Sequence, residues 1–235
     1  MIPISDDNPV DHTPFVNWGL IALCVAAFVW EVSLGRRMEG ALDVLGFTPA
    51  TLFGSEPARS LALGIPAFAT IFIAMFLHGG WLHLGGNMLY LWIFGNNIEE
   101  AMGHGRFTLF YFACGLSAAL AMAFVDSASD VPMVGASGAI SGVLGAYMLL
   151  YPRARVHVIV PLGIIFYPLW LRAVWVVGFW FAIQLVSAAL TDPSQPGTAF
   201  WAHVGGFAAG LILTPVLKSR DVRYFGPFVQ RGPRA

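Results

Sequence analysis

The sequence predicts an all-α polytopic membrane protein, a bundle of six transmembrane helices with a structured first loop. Of the 235 residues, 57% are hydrophobic and only 11% are charged, whereas soluble domains carry about 25% charged residues. The mean hydropathy is +0.73. A soluble fold has too little interior to hide this much apolar surface, so we expect a bilayer to cover it.

Six apolar stretches come close to the length of a membrane-spanning helix, which is about 20 residues. They run from Phe15 to Leu34, Phe76 to Ile98, Phe107 to Val125, Gly135 to Tyr151, Ala173 to Leu190 and Trp201 to Leu217. The segment before them, residues 1–14, contains three Asp and no Lys or Arg. Because a signal peptide begins with a basic region, we expect the first stretch to be retained as a helix.

Two connections differ from simple linkers. Residues 35–70 are apolar but interrupted by Gly, Pro and several charges, which predicts a structured loop that dips partly into the membrane interface. Residues 156–168 are apolar, contain Pro161 and Pro168, and are too short to span, which predicts an interfacial or re-entrant segment.

The distribution of Lys and Arg predicts the orientation, because cytoplasmic loops carry the excess of these residues. Six helices put both termini on one side, where the basic residues are Arg106, Arg153, Arg155, Arg172, Lys218, Arg220, Arg223, Arg231 and Arg234. The opposite side has only Arg36, Arg37 and Arg59. We therefore expect a cytoplasmic segment at 1–14, a membrane domain at 15–217 and a basic cytoplasmic tail at 218–235.

Polar side chains interrupt helices two, four and six at one depth. In this topology Ser137 and His203 lie near the outer ends of helices four and six, and His78, His83 and Asn87 lie in the outer half of helix two. Polar groups inside a membrane usually face the interior of the bundle and often carry function. Their common depth indicates one site that opens toward the extracytoplasmic side.

A serine hydroxyl becomes a good nucleophile only when a neighbouring base accepts its proton. The bases at this depth are His78, His83 and His203, and no Asp or Glu lies in the outer halves of these three helices. A Ser-His dyad is therefore favoured over a Ser-His-Asp triad. The Asn87 amide, His83 on the same helix face, and the Ser137 N–H in the first turn of helix four are candidate donors to an oxyanion.

Helical spacing indicates which histidine approaches the serine. The two small-residue faces are Ser137, Ser141 and Gly145 on helix four, and His203, Gly206 and Gly210 on helix six. Small residues at this spacing let membrane helices approach each other closely. If the two faces meet, His203 comes within reach of Ser137.

Structural explanations compete with each of these assignments. Ser137 and Ser141 are residues that commonly pack helices, Asn87 can bond between helices, and a histidine inside a bundle is often structural. His78 can also line a water-filled mouth of the site. Cys24 and Cys114 lie within apolar stretches and are interpreted as small buried hydrophobic residues.

Other classes of function receive less support. The net charge of −1 argues against a nucleic-acid partner. A metal site or transporter built on His78, His83 and His203 remains an alternative, but the HExxH arrangement is absent and no activating carboxylate lies nearby. We therefore expect neither a metal nor another cofactor.

Three motifs, in order, resemble those of the rhomboid family of intramembrane serine proteases in its six-helix bacterial form. Residues 78–87 are similar to its HxxxxHxxxN pattern, residues 135–138 to its GxSG nucleophile motif, and residues 202–210 to its AHxxGxxxG pattern. The resemblance covers about residues 15–217. One departure is that residues 35–70 lack the Trp-Arg pair of many members, and whether Arg59 or Arg37 substitutes is left open.

The resemblance implies a role for each matching residue. Ser137 is expected to be the nucleophile and His203 the general base and acid, with His83 and Asn87 in the oxyanion pocket. The other matching residues, His78, Gly135, Gly206 and Gly210, are expected to support the site. The 35–70 connection is expected to be the family's first loop, embedded in the outer leaflet, and helix five its lateral gate for substrates.

The expected function is an intramembrane serine endopeptidase of the inner membrane. Its expected partners are the lipid bilayer and single-pass transmembrane substrates, which it would cleave near the extracytoplasmic face through an acyl-enzyme. The alternative is a non-catalytic rhomboid-like binder of membrane helices.

Overall fold

The computed structural model describes residues 1–53, 57–163, 165–192, 195 and 197–225. In chain order its strands and helices are β1 (Ile2–Asp6), α1 (Phe15–Ser33), α2 (Met38–Leu45), α3 (Pro49–Leu52), α4 (Ala67–Ala74), α5 (Trp81–Tyr90), α6 (Asn96–Met102), α7 (His104–Val125), α8 (Ser137–Leu150), β2 (Arg155–Leu162), β3 (Ile165–Arg172), α9 (Ala173–Leu190) and α10 (Phe200–Leu217). The described part of the predicted tail ends at Phe225, and the rest of that tail lies outside the described residues.

Four helices in the described ranges are long and apolar enough to cross a membrane: α1, α7, α9 and α10. They correspond to the first, third, fifth and sixth predicted spans. The fourth predicted span is α8, an apolar helix of 14 residues. The chain is thus a mostly helical membrane protein, and the count of six spans stays a prediction.

The second predicted span begins later than expected. A turn separates α4 from α5, and the helix starts at Trp81 and not at Phe76. Gly79 and Gly80 lie in this turn, and glycine favours helix ends over helix interiors. From Trp81 the helix continues through a π-helical turn at Leu91–Gly95 into α6.

The first connection is structured, with the short helices α2 and α3, two 3₁₀ turns at Gly35–Arg37 and Arg59–Leu63, and then α4. Residues 54–56 lie outside the described part. Backbone hydrogen bonds in both directions join Phe47 to Met133, at 3.0 and 2.7 Å. The connection is thereby attached to the segment that leads into α8. Arg59 forms an exposed ion pair with Asp43 at 3.8 Å.

A three-stranded antiparallel sheet, in the order β1-β2-β3, was not predicted. The chain is therefore not all-α, and the described part of the predicted interfacial segment 156–168 belongs mainly to the paired strands β2 and β3. Val156 and Val158 alternate toward the core and are fully buried. Leu162, Ile165 and other residues near the turn are exposed on both faces of the hairpin. β-Branched residues at a period of two favour a strand over a helix.

Both described ends of the chain lie at one end of the bundle, away from Ser137. β1 pairs with β2, which follows the C-terminal end of α8. At the other end of the chain, Ser219 donates to the Ala101 carbonyl at 2.8 Å, and Phe225 donates to the Leu149 carbonyl at 3.3 Å. Ser137, the first residue of α8, therefore lies at the opposite end of that helix.

Candidate active site

The helices α8 and α10 contact each other backbone to backbone through glycines. A Cβ atom added at Gly206 would overlap the carbonyl oxygen of Gly138, and one added at Gly210 would overlap that of Gly142. A Cβ at Gly145 would lie 2.6 Å from the Phe207 carbonyl oxygen. Only glycine allows this separation between the helices, as expected for small residues in membrane helices.

The backbone contact of α8 with α10 agrees with the predicted face at Gly145, but it uses Gly138 and Gly142 in place of Ser137 and Ser141. Ser141 is fully buried, and its hydroxyl donates to the Ser137 carbonyl at 2.7 Å within the same helix. Ser141 thus has a packing role, and the Ser137 hydroxyl remains available to α10.

Ser137 and His203 are hydrogen-bonded across this helix pair. The Ser137 Oγ atom lies 2.8 Å from His203 Nε2. His203 is 9% exposed, and Ser137, at the start of α8, is half-buried. At this distance an imidazole with a free lone pair on Nε2 accepts the proton of an attacking hydroxyl.

The other nitrogen of His203 contacts a residue that the sequence analysis missed. His203 Nδ1 lies 2.7 Å from Oε1 of Gln184 on α9. From the sequence, helix five is expected only to be a lateral gate, and its single amide receives no role. A lone amide in an apolar membrane helix is itself a signal, because such a group needs a partner. Two aromatic rings flank the imidazole, Trp180 at 5.9 Å and Phe200 at 6.4 Å between centroids.

His83 and Asn87 approach the turn before Ser137 from α5. The N–H of Gly79 donates to His83 Nδ1 at 3.3 Å, which leaves the proton of a neutral ring on Nε2. A Cβ at Gly135 would lie 2.7 Å from that Nε2 and 3.5 Å from Asn87 Nδ2. Asn87 Nδ2 is buried and has no hydrogen-bond partner in the described residues. Two N–H donors therefore point toward the space beside Gly135.

Gly135 needs to be glycine for two reasons. Its φ of +119° is a conformation that L side chains rarely adopt, and a side chain would fill the space in front of His83. The Gly135 N–H donates to the Ala74 carbonyl at 2.8 Å. This bond fixes the turn from which Ser137 starts α8.

His78 lies behind the site and does not line it. Its side chain is fully buried. His78 therefore does not line a water-filled mouth of the site, a role that the sequence alone allowed. Its backbone N–H donates to both carboxylate oxygens of the buried Glu31 on α1, at 3.2 Å each. Its ring packs edge-on against His83 with centroids 5.2 Å apart. His78 and Glu31 therefore brace the turn that precedes α5.

A cavity of about 650 Å³ connects these groups. Ser137, His203, His83 and Asn87 all line it, and apolar side chains form much of the rest of its wall. This volume lies within the usual range of ligand-binding clefts, about 300–1,000 Å³. Within the described ranges, no three His, Cys, Asp or Glu side chains are grouped as metal ligands. Cys24 and Cys114 are both buried as free thiols.

Comparisons with known proteins give a family and several relatives. The sequence model of the Rhomboid domain matches residues 66–220. The chain is 41% identical over 99 residues to Rhomboid protease GluP of Bacillus subtilis, covering 42% of this chain and 18% of that protein. It is 31% identical over 216 residues to RHOMBOID-like protein 4 of Arabidopsis thaliana, covering 90% of this chain and 49% of that protein.

A further relative is Rhomboid protein 1, mitochondrial, of Saccharomyces cerevisiae. It is 34% identical over 85 residues, covering 34% of this chain and 25% of that protein. The chain thus spans about half or less of the length of these three relatives.

Proposed function

The chain belongs to the rhomboid family, and from that premise we propose that it is an intramembrane serine endopeptidase acting through a Ser137–His203 dyad. One observation carries the proposal, the 2.8 Å hydrogen bond between Ser137 Oγ and His203 Nε2. The bond lies on the wall of a cavity between apolar helices. The relative from Bacillus subtilis is named as a rhomboid protease, which supports the same assignment.

In the proposed first step, His203 Nε2 takes the proton of the Ser137 hydroxyl as the oxygen attacks the carbonyl carbon of the scissile peptide bond. The protonated imidazole then gives that proton to the leaving amine, and an acyl-enzyme remains on Ser137. A water molecule, deprotonated by the same imidazole, hydrolyses the ester and restores the hydroxyl. His203 thus serves as base and then acid in each half of the reaction.

The tetrahedral intermediate needs donors for its negatively charged oxygen. We assign this role to the Nε2–H of His83, the Nδ2–H of Asn87 and the backbone N–H of Ser137. The hydrogen bond that the Gly79 N–H donates to His83 Nδ1 supports the first, and the buried Asn87 Nδ2 atom, without a partner in the described residues, supports the second. The third belongs to the first residue of α8, where N–H groups have no partner within the helix.

The substrates we propose are single-pass transmembrane proteins, cut near the extracytoplasmic face of the inner membrane. The apolar helices around the cavity support a membrane-embedded substrate. We also propose six spans, with α8 and the continuous α5–α6 helix crossing beside the four longer ones. The excess of basic residues on the side of both termini supports a cytoplasmic location for them.

The test is cleavage of a single-pass model substrate by the purified protein and its Ser137→Ala variant in proteoliposomes. Ser141→Ala is the matched control, because it removes a hydroxyl one helical turn away. We expect wild type and Ser141→Ala to cleave and Ser137→Ala to be inactive while folded. Cleavage retained by Ser137→Ala would contradict the dyad. A folded wild-type protein that does not cleave would favour a non-catalytic binder of membrane helices.

A further inference from the structure

We propose that Gln184 is a positioning residue for the general base, because its amide holds His203 in the tautomer that the dyad requires. This inference rests on the proposed function, since Gln184 acts only through His203. Within the described residues, the side chain of Gln184 is hydrogen-bonded to Trp180 and His203, and Ser137 Oγ is hydrogen-bonded to His203.

The location of Gln184 is unusual for an amide. α9 is otherwise apolar except for Ser187, and its exposed large side chains are Trp175, Phe179, Ile183, Leu185, Val186 and Leu190. Gln184 instead faces inward and is 7% exposed. A buried amide is costly unless it is hydrogen-bonded, so its partner indicates why this position is polar.

The two hydrogen bonds of Gln184 define which way its amide points. Its Nε2 atom donates to the Trp180 carbonyl, one turn earlier in α9, at 3.4 Å. Its Oε1 atom faces His203 Nδ1 at 2.7 Å. Exchanging the amide oxygen and nitrogen would place an oxygen against the Trp180 carbonyl oxygen, with no proton between two acceptors. The backbone of α9 therefore selects the oxygen for His203.

An oxygen at this position selects the tautomer of His203. A carbonyl oxygen can only accept, so Nδ1 must carry the proton of the neutral ring. The lone pair is then on Nε2, which lies 2.8 Å from Ser137 Oγ. The opposite tautomer would set an N–H toward the serine and leave two lone pairs facing each other at Nδ1. Gln184 thus supplies the orienting function of a triad carboxylate without its charge.

The experiment compares Gln184→Met, which keeps the side-chain length but has no amide, with Gln184→Glu, which keeps an acceptor oxygen. Ser187→Ala is the control on the same helix. We expect Gln184→Met to lower kcat by about 10- to 100-fold, equivalent to about 1.4–2.7 kcal/mol. KM should remain close to the wild-type value, Gln184→Glu should recover most of the kcat, and the control should match wild type.

A spectroscopic readout tests the contact without an activity assay. In ¹⁵N-histidine-labelled wild-type protein, the His203 signal, assigned by its loss in His203→Ala, should show the proton on Nδ1. A proton on Nε2, or a Gln184→Met variant with wild-type kcat, would overturn the proposal. Loss of kcat in both Gln184 variants with a lowered Tm would indicate a packing role and also overturn it. Failure of wild-type cleavage would contradict the proposed function, and the tautomer measurement would still decide the role of Gln184.

Discussion

Gly206→Ala should separate α8 from α10 and with them the two residues of the dyad. The added methyl group would overlap the Gly138 carbonyl oxygen, whereas real Cβ atoms keep at least 3.0 Å from such neighbours. The carbonyl belongs to the backbone and the position of the Cβ is fixed by the backbone, so neither can rotate away. Relief requires the helices to move apart by roughly an ångström, and such a displacement of reacting groups costs on the order of 100-fold in rate.

The stability effect follows from two opposing terms. Alanine gains about 1 kcal/mol over glycine in helix propensity, and overpacking of a rigid contact costs about 1–3 kcal/mol. The difference between these terms is a net loss of up to about 2 kcal/mol at Gly206. Gly19→Ala is the matched control, because Gly19 on α1 has nothing within 4 Å of its added Cβ, and it should be neutral or stabilising.

The assay measures cleavage of the model substrate and thermal unfolding for both variants in one detergent. We expect Gly206→Ala to unfold at a lower temperature than Gly19→Ala and to cleave about 100-fold more slowly than wild type. If Gly206→Ala matched the control in both measurements, the close glycine crossing would not be what holds His203 beside Ser137.

Three further predictions follow from other parts of the molecule. Asn87→Ala should lower kcat by about 100- to 1,000-fold with little change in KM, because an oxyanion donor acts mainly in the transition state; an equal rise in KM would contradict that role. Burial raises the pKa of Asp6 from 3.8 to about 6, although Tyr147 donates a hydrogen bond to it. Because the folded state binds the proton of Asp6 more tightly than the unfolded state does, protonation of Asp6 stabilises the fold. This stabilisation is present below about pH 4 and is lost as the pH rises through about 6. Thermal unfolding should show the loss in wild type and not in Asp6→Asn. Phe166 lies in the exposed part of the hairpin. If the hairpin lies at the membrane interface, spin-labelled lipids should quench a fluorophore attached to Phe166→Cys. They should quench a fluorophore on Asp11→Cys much less.

The long helices could be predicted because hydropathy and length define them locally. α9 has the predicted bounds, and α1 and α10 differ by one residue at one end. The predicted start of the second span was wrong because the sequence stays apolar across Gly79 and Gly80, so its hydropathy does not reveal the turn before α5. The hydropathy of a short run does not distinguish a strand from a buried helix. The pairing of residues 155–162 with residues 2–6 is also non-local.

The candidate site was only partly predictable for a similar reason. The motif spacing was sufficient to indicate Ser137, His203, His83 and Asn87, since each lies at a recognisable position in a helix. Gln184 was missed because its role depends on which face of α9 turns toward α10, and the apolar sequence of α9 has no strong periodicity. The tautomer of His83 depends on Gly79 in a non-helical turn, which no residue pattern specifies.

The central claim is that Ser137 is a nucleophile activated by His203. The most direct measurement is the intact mass of the folded protein after reaction with a fluorophosphonate, with the modified residue mapped by fragmentation. The account predicts a single adduct on Ser137 that is lost in His203→Ala and retained in Ser141→Ala. An adduct on another residue, an unchanged rate in His203→Ala, or no adduct on folded wild-type protein would contradict it.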